Sequence, residues 1–237
     1  MSSTTTLPTF SFNTTAEEVA NVFADEIRGK TVLITGTSLK GIGFETARVI
    51  AKYAKLLIIA GYNEERLKLS EDAIKKETPS ANIYRLTVDL SSLASVRKAA
   101  AEVNALPDPL HVLINNAAAT RTGFALQLTS DNIELQYATN HVGPWLFTNL
   151  LVPKLLASSS STEGFTPRVI FLSSDTHYFG TTRGSMRWLG SYELVSYSRR
   201  RLRPVAHIKP TGRPHGVPMS FPAKKAGTLQ SCGVEHV

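Results

Sequence analysis

A single cysteine, Cys232, stands in 237 residues. One thiol excludes an intrachain disulfide and fits a reducing compartment. Long apolar runs are missing too: "AKLLIIAGY" and "GPWLFTNLLVPKLLA" are short, or are broken by Pro, Asn and Lys. Neither reaches the length that spans a bilayer, so no membrane span is expected. The start, "MSSTTTLPTFSFNTT", lacks the basic opening and continuous apolar stretch of a secretory signal, and a cytoplasmic location is the expectation. Acidic residues are scarce in one region only. Residues 1–179 hold 16 Lys and Arg against 17 Asp and Glu, whereas residues 180–237 hold 10 against 2. The net charge of +7 is therefore a property of the last quarter. A basic tail can bind polyanions, but charge confined to one segment does not make the whole chain a nucleic-acid binder, and nucleic acid is a disfavoured partner.

What is present is an alternation of periods. "KTVLITG", "KLLIIAG", "IYRLTVDL", "HVLINNA" and "RVIFLSS" read as short apolar strands. Between them, "GFETARVIAKYA", "NEERLKLSEDAIKKE" and "SLASVRKAAAEVNA" have helical spacing, the last opening on a serine cap. "TTAEEVANVFADEI" predicts one amphipathic helix with an acidic first turn, and residues 130–157 predict one long helix. Apolar strands separated by helices imply a parallel sheet covered on both faces, an α/β doubly wound fold, which binds ligands at the carboxyl ends of its strands.

The first strand runs into the first core helix through "TGTSLKGIG". Gly36, Gly41 and Gly43 let the chain turn tightly and let bare backbone approach a phosphate seated on the helix N-terminus. Their place between strand and helix points to a dinucleotide, although the spacing is not the ordinary G-x-G-x-x-G. This loop resembles the TGxxxGIG of the short-chain dehydrogenase/reductase family, with one residue added. Further motifs follow in the family's order: "VDLSSLASVR" with Asp89 and Leu90, "INNAA" with Asn115, Asn116, Ala117 and Ala118, "TNHVGPWLFTNLL" with Asn140, and "VIFLSS" ending on Ser174. The phrasing is closest to the retinol-dehydrogenase-like and WW-domain oxidoreductase-like branch, and the resemblance covers about residues 28–178.

The resemblance implies a Rossmann-type domain over residues 29–180, preceded by a leader and helix at 1–28 and followed by a divergent, basic, proline-rich tail at 181–237. Cofactor contacts are implied for Gly36, Lys40, Gly41, Ile42, Gly43, Asp89, Leu90, Asn116 and Ala117; no metal is implied. Several motif residues have a plainer reading beside the functional one: Asp89 can cap the helix that starts at Ser91, Asn116 can brace the neighbouring strand, Ser174 can be a turn residue, and Lys40 a solvated loop lysine. "IIAGYNEER" sets no acid at the tip of the second strand, and Lys40 resembles the family's basic determinant, so NADP(H) is favoured over NAD(H). Tyr62 stands where NADP-preferring members often carry Arg.

By resemblance the chemistry is hydride transfer between nicotinamide and an alcohol or a ketone or aldehyde, possible as a tailoring step in biosynthesis. Ser174 would polarise the carbonyl, Asn140 would position a relay water, and a tyrosine paired with a lysine four residues on would handle the proton. No Tyr-x-x-x-Lys occurs in the 237 residues. Tyr197, 23 residues after Ser174, is followed by Arg201, and an always-charged guanidinium replaces a lysine poorly in a proton relay. Prolines at 204, 210, 214, 218 and 222 bar the long helix the family places there. The sheet is thus expected to be incomplete after its fifth strand. The expected partner is a small alcohol or ketone substrate, with a homo-oligomer possible. The alternative is a catalytically impaired relative lacking the Tyr-x-x-x-Lys pair, either one that binds the dinucleotide without turning over or an aberrant gene product.

Overall fold

The computed structural model describes residues 8–119, 126–161 and 165–173. Ser174, Tyr197, Arg201 and the tail 181–237 lie outside them.

Helices α1 (Ala16–Val22) and α2 (Ala24–Ile27) precede the sheet, followed by α3 (Ile42–Ile50), α4 (Glu64–Glu77), α5 (Leu93–Ala105), α6 (Leu135–Tyr137) and α7 (Gly143–Ser161). Strands β1 (Thr31–Thr35), β2 (Leu56–Gly61), β3 (Ile83–Thr87), β4 (Val112–Asn115) and β5 (Arg168–Phe171) form one sheet in the order β3-β2-β1-β4-β5, every pair parallel. "TVLIT" and "LLIIAG" are buried at almost every position, so both faces are covered. Alternation divides them: Leu33 and Ile58 pack with Val96, Phe147 and Leu151 of α5 and α7. Val32, Ile34, Leu57 and Ile59 pack on the other face with Ala47, Leu67 and Ile74 of α3 and α4. Leu33, Ile34 and Phe147 are all fully buried, each stabilising by about 1.5–3 kcal/mol.

The doubly wound expectation is met. From the central β1 the chain steps outward to β2 and β3, then crosses to β4 and β5 on the other side. That reversal opens a crevice beyond the carboxyl ends of β1 and β4, where such folds hold their ligands.

Two helix expectations need correction. The single helix over "TTAEEVANVFADEI" is broken at Phe23, whose backbone (φ −99°, ψ 20°) leaves the helical basin as its ring packs on Phe10, centroids 6.0 Å apart. Its first turn is acidic as expected, with Glu17 and Glu18, and Thr15 and Glu18 form a reciprocal capping box. The helix predicted over 130–157 does not begin until Leu135. Asn132 takes φ 58° in a turn closed by its N–H to the Thr129 carbonyl, and Asp131 is drawn away to accept from the Leu93 N–H at the start of α5 (2.9 Å). After α6 the chain makes a π-helical turn over Ala138–Val142 before α7. Pro144 supplies a cause: with no N–H it cannot donate to the Asn140 carbonyl as a regular helix requires. The Gly143 N–H reaches back to the Ala138 carbonyl instead.

Among the described residues no helix is long and apolar enough to cross a membrane.

Candidate functional site

The crevice is built where β1 and β4 end. Thr35, buried as the last residue of β1, accepts hydrogen bonds on its Oγ1 from the backbone N–H groups of Asn116 (3.1 Å) and Ala117 (3.0 Å). In return the Asn116 carboxamide donates to the carbonyls of Thr35 (2.8 Å) and Gly36 (3.0 Å). These four hydrogen bonds make Asn116 a brace between two strand ends, the plainer of its two readings.

The three loop glycines serve different ends. Gly36 has φ 74°, and a Cβ there would lie 2.7 Å from the Ala117 Cα. A Cβ on Gly43 would lie 2.3 Å from Asn116 Nδ2 and 2.5 Å from the Gly36 carbonyl oxygen. Both glycines are required by packing, since backbone and a fixed carboxamide occupy the space. Gly41 is not. It is exposed, its backbone is extended (φ −94°, ψ 162°), and a Cβ would meet only the Ser38 carbonyl oxygen at 3.2 Å. Gly41 is also the N-cap of α3, and no side chain caps that helix. Bare N–H groups at a helix start, with room in front of them, form a cradle that suits a phosphate. The residues present therefore fit the pyrophosphate of a dinucleotide.

Lys40 takes φ 65°, in a turn closed by the Gly41 N–H to the Ser38 carbonyl (3.2 Å). An acid in the first turn of α3, Glu45, would oppose an anion at the cradle. Arg48 takes it up through two hydrogen bonds, Nε to Oε2 (2.9 Å) and Nη2 to Oε1 (2.7 Å). Arg48 thereby holds the Glu45 carboxyl below the usual carboxylate range, against a smaller opposing effect of burial.

On the far side of β1, Asp89 is exposed, and its Oδ1 accepts from the N–H (2.9 Å) and hydroxyl (2.7 Å) of Ser91. The α5 cap is Ser92, not Asp89: its Oγ accepts from the Ser95 N–H. The Leu90 side chain is buried in the core and offers no side-chain contact to a ligand. Gly143 is a residue that the sequence reading missed. A Cβ on it would fall 2.1 Å from the Leu90 carbonyl oxygen, so α7 approaches the β3–α5 connection closely enough to exclude any side chain. Glycine before proline in a helical stretch was the available signal. Thr35 was missed as well; a threonine closing an apolar strand before Gly36 was its signal.

Asn140 sits in the π-helical turn and grips Ala119 at both backbone atoms: Oδ1 accepts from the N–H (2.7 Å) and Nδ2 donates to the carbonyl (2.9 Å). Irregular helical turns of this kind are frequent at functional sites. Asn140 thus ties the start of α7 to the chain leaving β4, beside Asn116 and Ala117. Ser174 would follow β5 by three residues, and like Tyr197 it lies outside the described residues.

Residues 30–186 match the model of the short chain dehydrogenase family. The chain belongs to that family. Among curated relatives it is 41% identical over 172 residues to the short-chain dehydrogenase TIC 32 A, chloroplastic, of Brassica napus, covering 73% of this chain and 52% of that one. It is 37% identical over 154 residues to human retinol dehydrogenase 13, covering 65% and 44%. This member of the family spans about half the length of the curated relatives it matches. The same fold occurs in the solved 3-oxoacyl (acyl-carrier-protein) reductase of Agrobacterium tumefaciens with NADP bound, at TM-score 0.52 and 24% identity, covering 63% of this chain and 54% of that one. The retinol-dehydrogenase-like resemblance is met by these relatives.

Proposed function

We propose that this chain is an NADP(H)-dependent oxidoreductase that interconverts an alcohol and a ketone or aldehyde. The observation that carries the reading is the open cradle at Gly41: of the three loop glycines, it alone is not demanded by the protein's own packing. A bound dinucleotide would place its pyrophosphate against Gly41, Ile42 and Gly43, its adenosine beside Asp89 and Leu90, and its nicotinamide near Ala117 and Asn140. When bound, the cofactor supplies or accepts the hydride. The chain's own part is to orient it through the braced strand ends, with Ser174 polarising the carbonyl and Tyr197 as the candidate proton donor. Asn140 holds the approach to α7 rigid. Lys40 and the lack of an acid at the tip of β2, where Tyr62 stands, support NADP(H) over NAD(H).

A second reading, a relative that binds the dinucleotide without turnover, is favoured by one specific observation: the 237 residues contain no Tyr-x-x-x-Lys. The domain division at residues 28 and 180, a homo-oligomer and a tailoring role in biosynthesis stand as parts of the same proposal.

The two readings separate in one experiment. NADPH or NADH is added to the purified chain, the thermal shift is measured, and absorbance at the nicotinamide band is followed with a panel of ketones and aldehydes. Turnover lost in Tyr197→Phe supports the enzyme. A shift with no turnover supports the binder, and no shift with either dinucleotide refutes both.

A further inference from the structure

The tip of the second strand is where a Rossmann-type domain sorts its nucleotide: an acid holds a free ribose 2′-hydroxyl, and a nearby arginine accommodates a 2′-phosphate. Here the tip carries Tyr62, which is 65% exposed. Read as sequence, the position lacks its cation. Folding supplies one from the next turn. Arg66, in the first turn of α4, folds back so that Nη1 donates to the Tyr62 hydroxyl (3.2 Å), with the guanidinium carbon 5.9 Å from the ring centroid. Its backbone is held as well, because Asn63 caps α4 by accepting from the Arg66 N–H (2.9 Å).

Two further observations turn this corner toward an anion. Among the described residues, no carboxylate forms a salt bridge with Arg66 or with Lys40. And the turn of α4 that bears Arg66 rests on the glycine loop that bears Lys40: the buried Ser70 hydroxyl lies 2.8 Å from the Thr37 carbonyl oxygen and 3.0 Å from that of Arg66. Loop and helix are thus joined through one side chain, so the two unpaired cations belong to one structural unit.

We infer that Arg66, braced by Tyr62, is the residue that selects the 2′-phosphate of NADP(H), with Lys40 as the second cation. The inference rests on the dinucleotide reading given above. A guanidinium suits the task because its planar fork matches phosphate oxygens and stays charged at every working pH. Tyr62 is more than a spacer, since its hydroxyl fixes the guanidinium that would otherwise sample solvent. Glu64 and Glu65 flank the site in the same turn, and their charge works against the phosphate.

The test uses the full chain and calorimetric binding of four ligands: NADPH, NADH, and the fragments 2′,5′-ADP and 5′-AMP, which need no catalysis to report. Arg66→Met is expected to weaken NADPH and 2′,5′-ADP by about tenfold to a hundredfold, as loss of a charge-assisted contact does, and to leave NADH and 5′-AMP within about twofold. Tyr62→Phe should produce a smaller loss confined to the same two ligands. Glu65→Gln should tighten them. Added salt should narrow the preference in the wild type more than in Arg66→Met. An equal loss for all four ligands would make Arg66 a structural residue and overturn the inference. An unchanged preference in Arg66→Met would overturn it while leaving the NADP(H) reading intact. A wild-type chain that binds neither dinucleotide, or prefers NADH, sinks both.

Discussion

Replacing Gly43 by alanine asks the loop to accept one methyl group where there is no room. The Cβ would sit 2.3 Å from Asn116 Nδ2 and 2.5 Å from the Gly36 carbonyl oxygen, about an ångström inside ordinary contact. The carboxamide can yield only by surrendering its hydrogen bonds to Thr35 (2.8 Å) and Gly36 (3.0 Å), each worth about 1 kcal/mol. Crowding of the packed backbone adds about 1–3 kcal/mol, and alanine returns about 1 kcal/mol through its better helix propensity. The net loss is about 2–4 kcal/mol, which lowers Tm by roughly 4–16 °C in a domain of this size. Gly41→Ala is the matched control. Its methyl group meets only Ser38, so stability should fall by no more than about 1 kcal/mol, the ordinary difference at an N-cap. NADPH binding should nevertheless drop sharply, because the methyl stands where the phosphate would. Differential scanning fluorimetry and NADPH titration of both variants check the pair. Equal destabilisation by the two, or unimpaired NADPH binding in Gly41→Ala, would refute the division of labour among the glycines.

Gly143→Ala carries a Cβ to 2.1 Å from the Leu90 carbonyl oxygen, where backbone cannot turn aside; a loss of about 2 kcal/mol is expected in urea unfolding, and an unchanged midpoint would show that α7 can back away freely. His111 is buried at the foot of β4, and its Nδ1 accepts from the Thr31 N–H (3.0 Å). Burial first, then the charge of Lys30, push its pKa down, with a hydrogen bond to the Pro109 backbone opposing them. The folded chain therefore resists a proton that the unfolded chain accepts. Stability should be indifferent to this group above the ordinary histidine value of about 6.5 and fall as pH drops below it. Glu45, held low by Arg48, adds its own loss only further down, below the ordinary carboxylate range. Urea midpoints measured from pH 7.5 to 5.5 should decline in the wild type and flatten in His111→Asn; a slope that persists in the variant would assign it elsewhere.

How much of the site was legible depends on how local its causes are. The glycine loop, the Ser92 cap and the five strands follow from residues adjacent in the chain, and they stand in the structure close to where the pattern sets them. The helix over 130–157 was overdrawn because its period is helical while its stops are not periodic: a left-handed Asn132, an Asp131 engaged elsewhere, and a proline that removes one hydrogen donor. The cation at the tip of β2 was missed for the same kind of reason. Tyr62 and Arg66 are four apart in sequence but lie on two different elements, strand tip and helix, so no single period brings them together.

The amino-acid sequence alone determined the order of strands and helices, the apolar faces, and the loop that opens toward a phosphate, because each of these is written in neighbouring residues and their spacing. Only the tertiary structure decided which glycines are needed by packing and which are left open, that Asn116 braces rather than reaches outward, and that Arg66 returns to the strand tip. Those outcomes depend on which distant backbone atoms come within a few ångströms of a given side chain, and the folded chain alone fixes that distance.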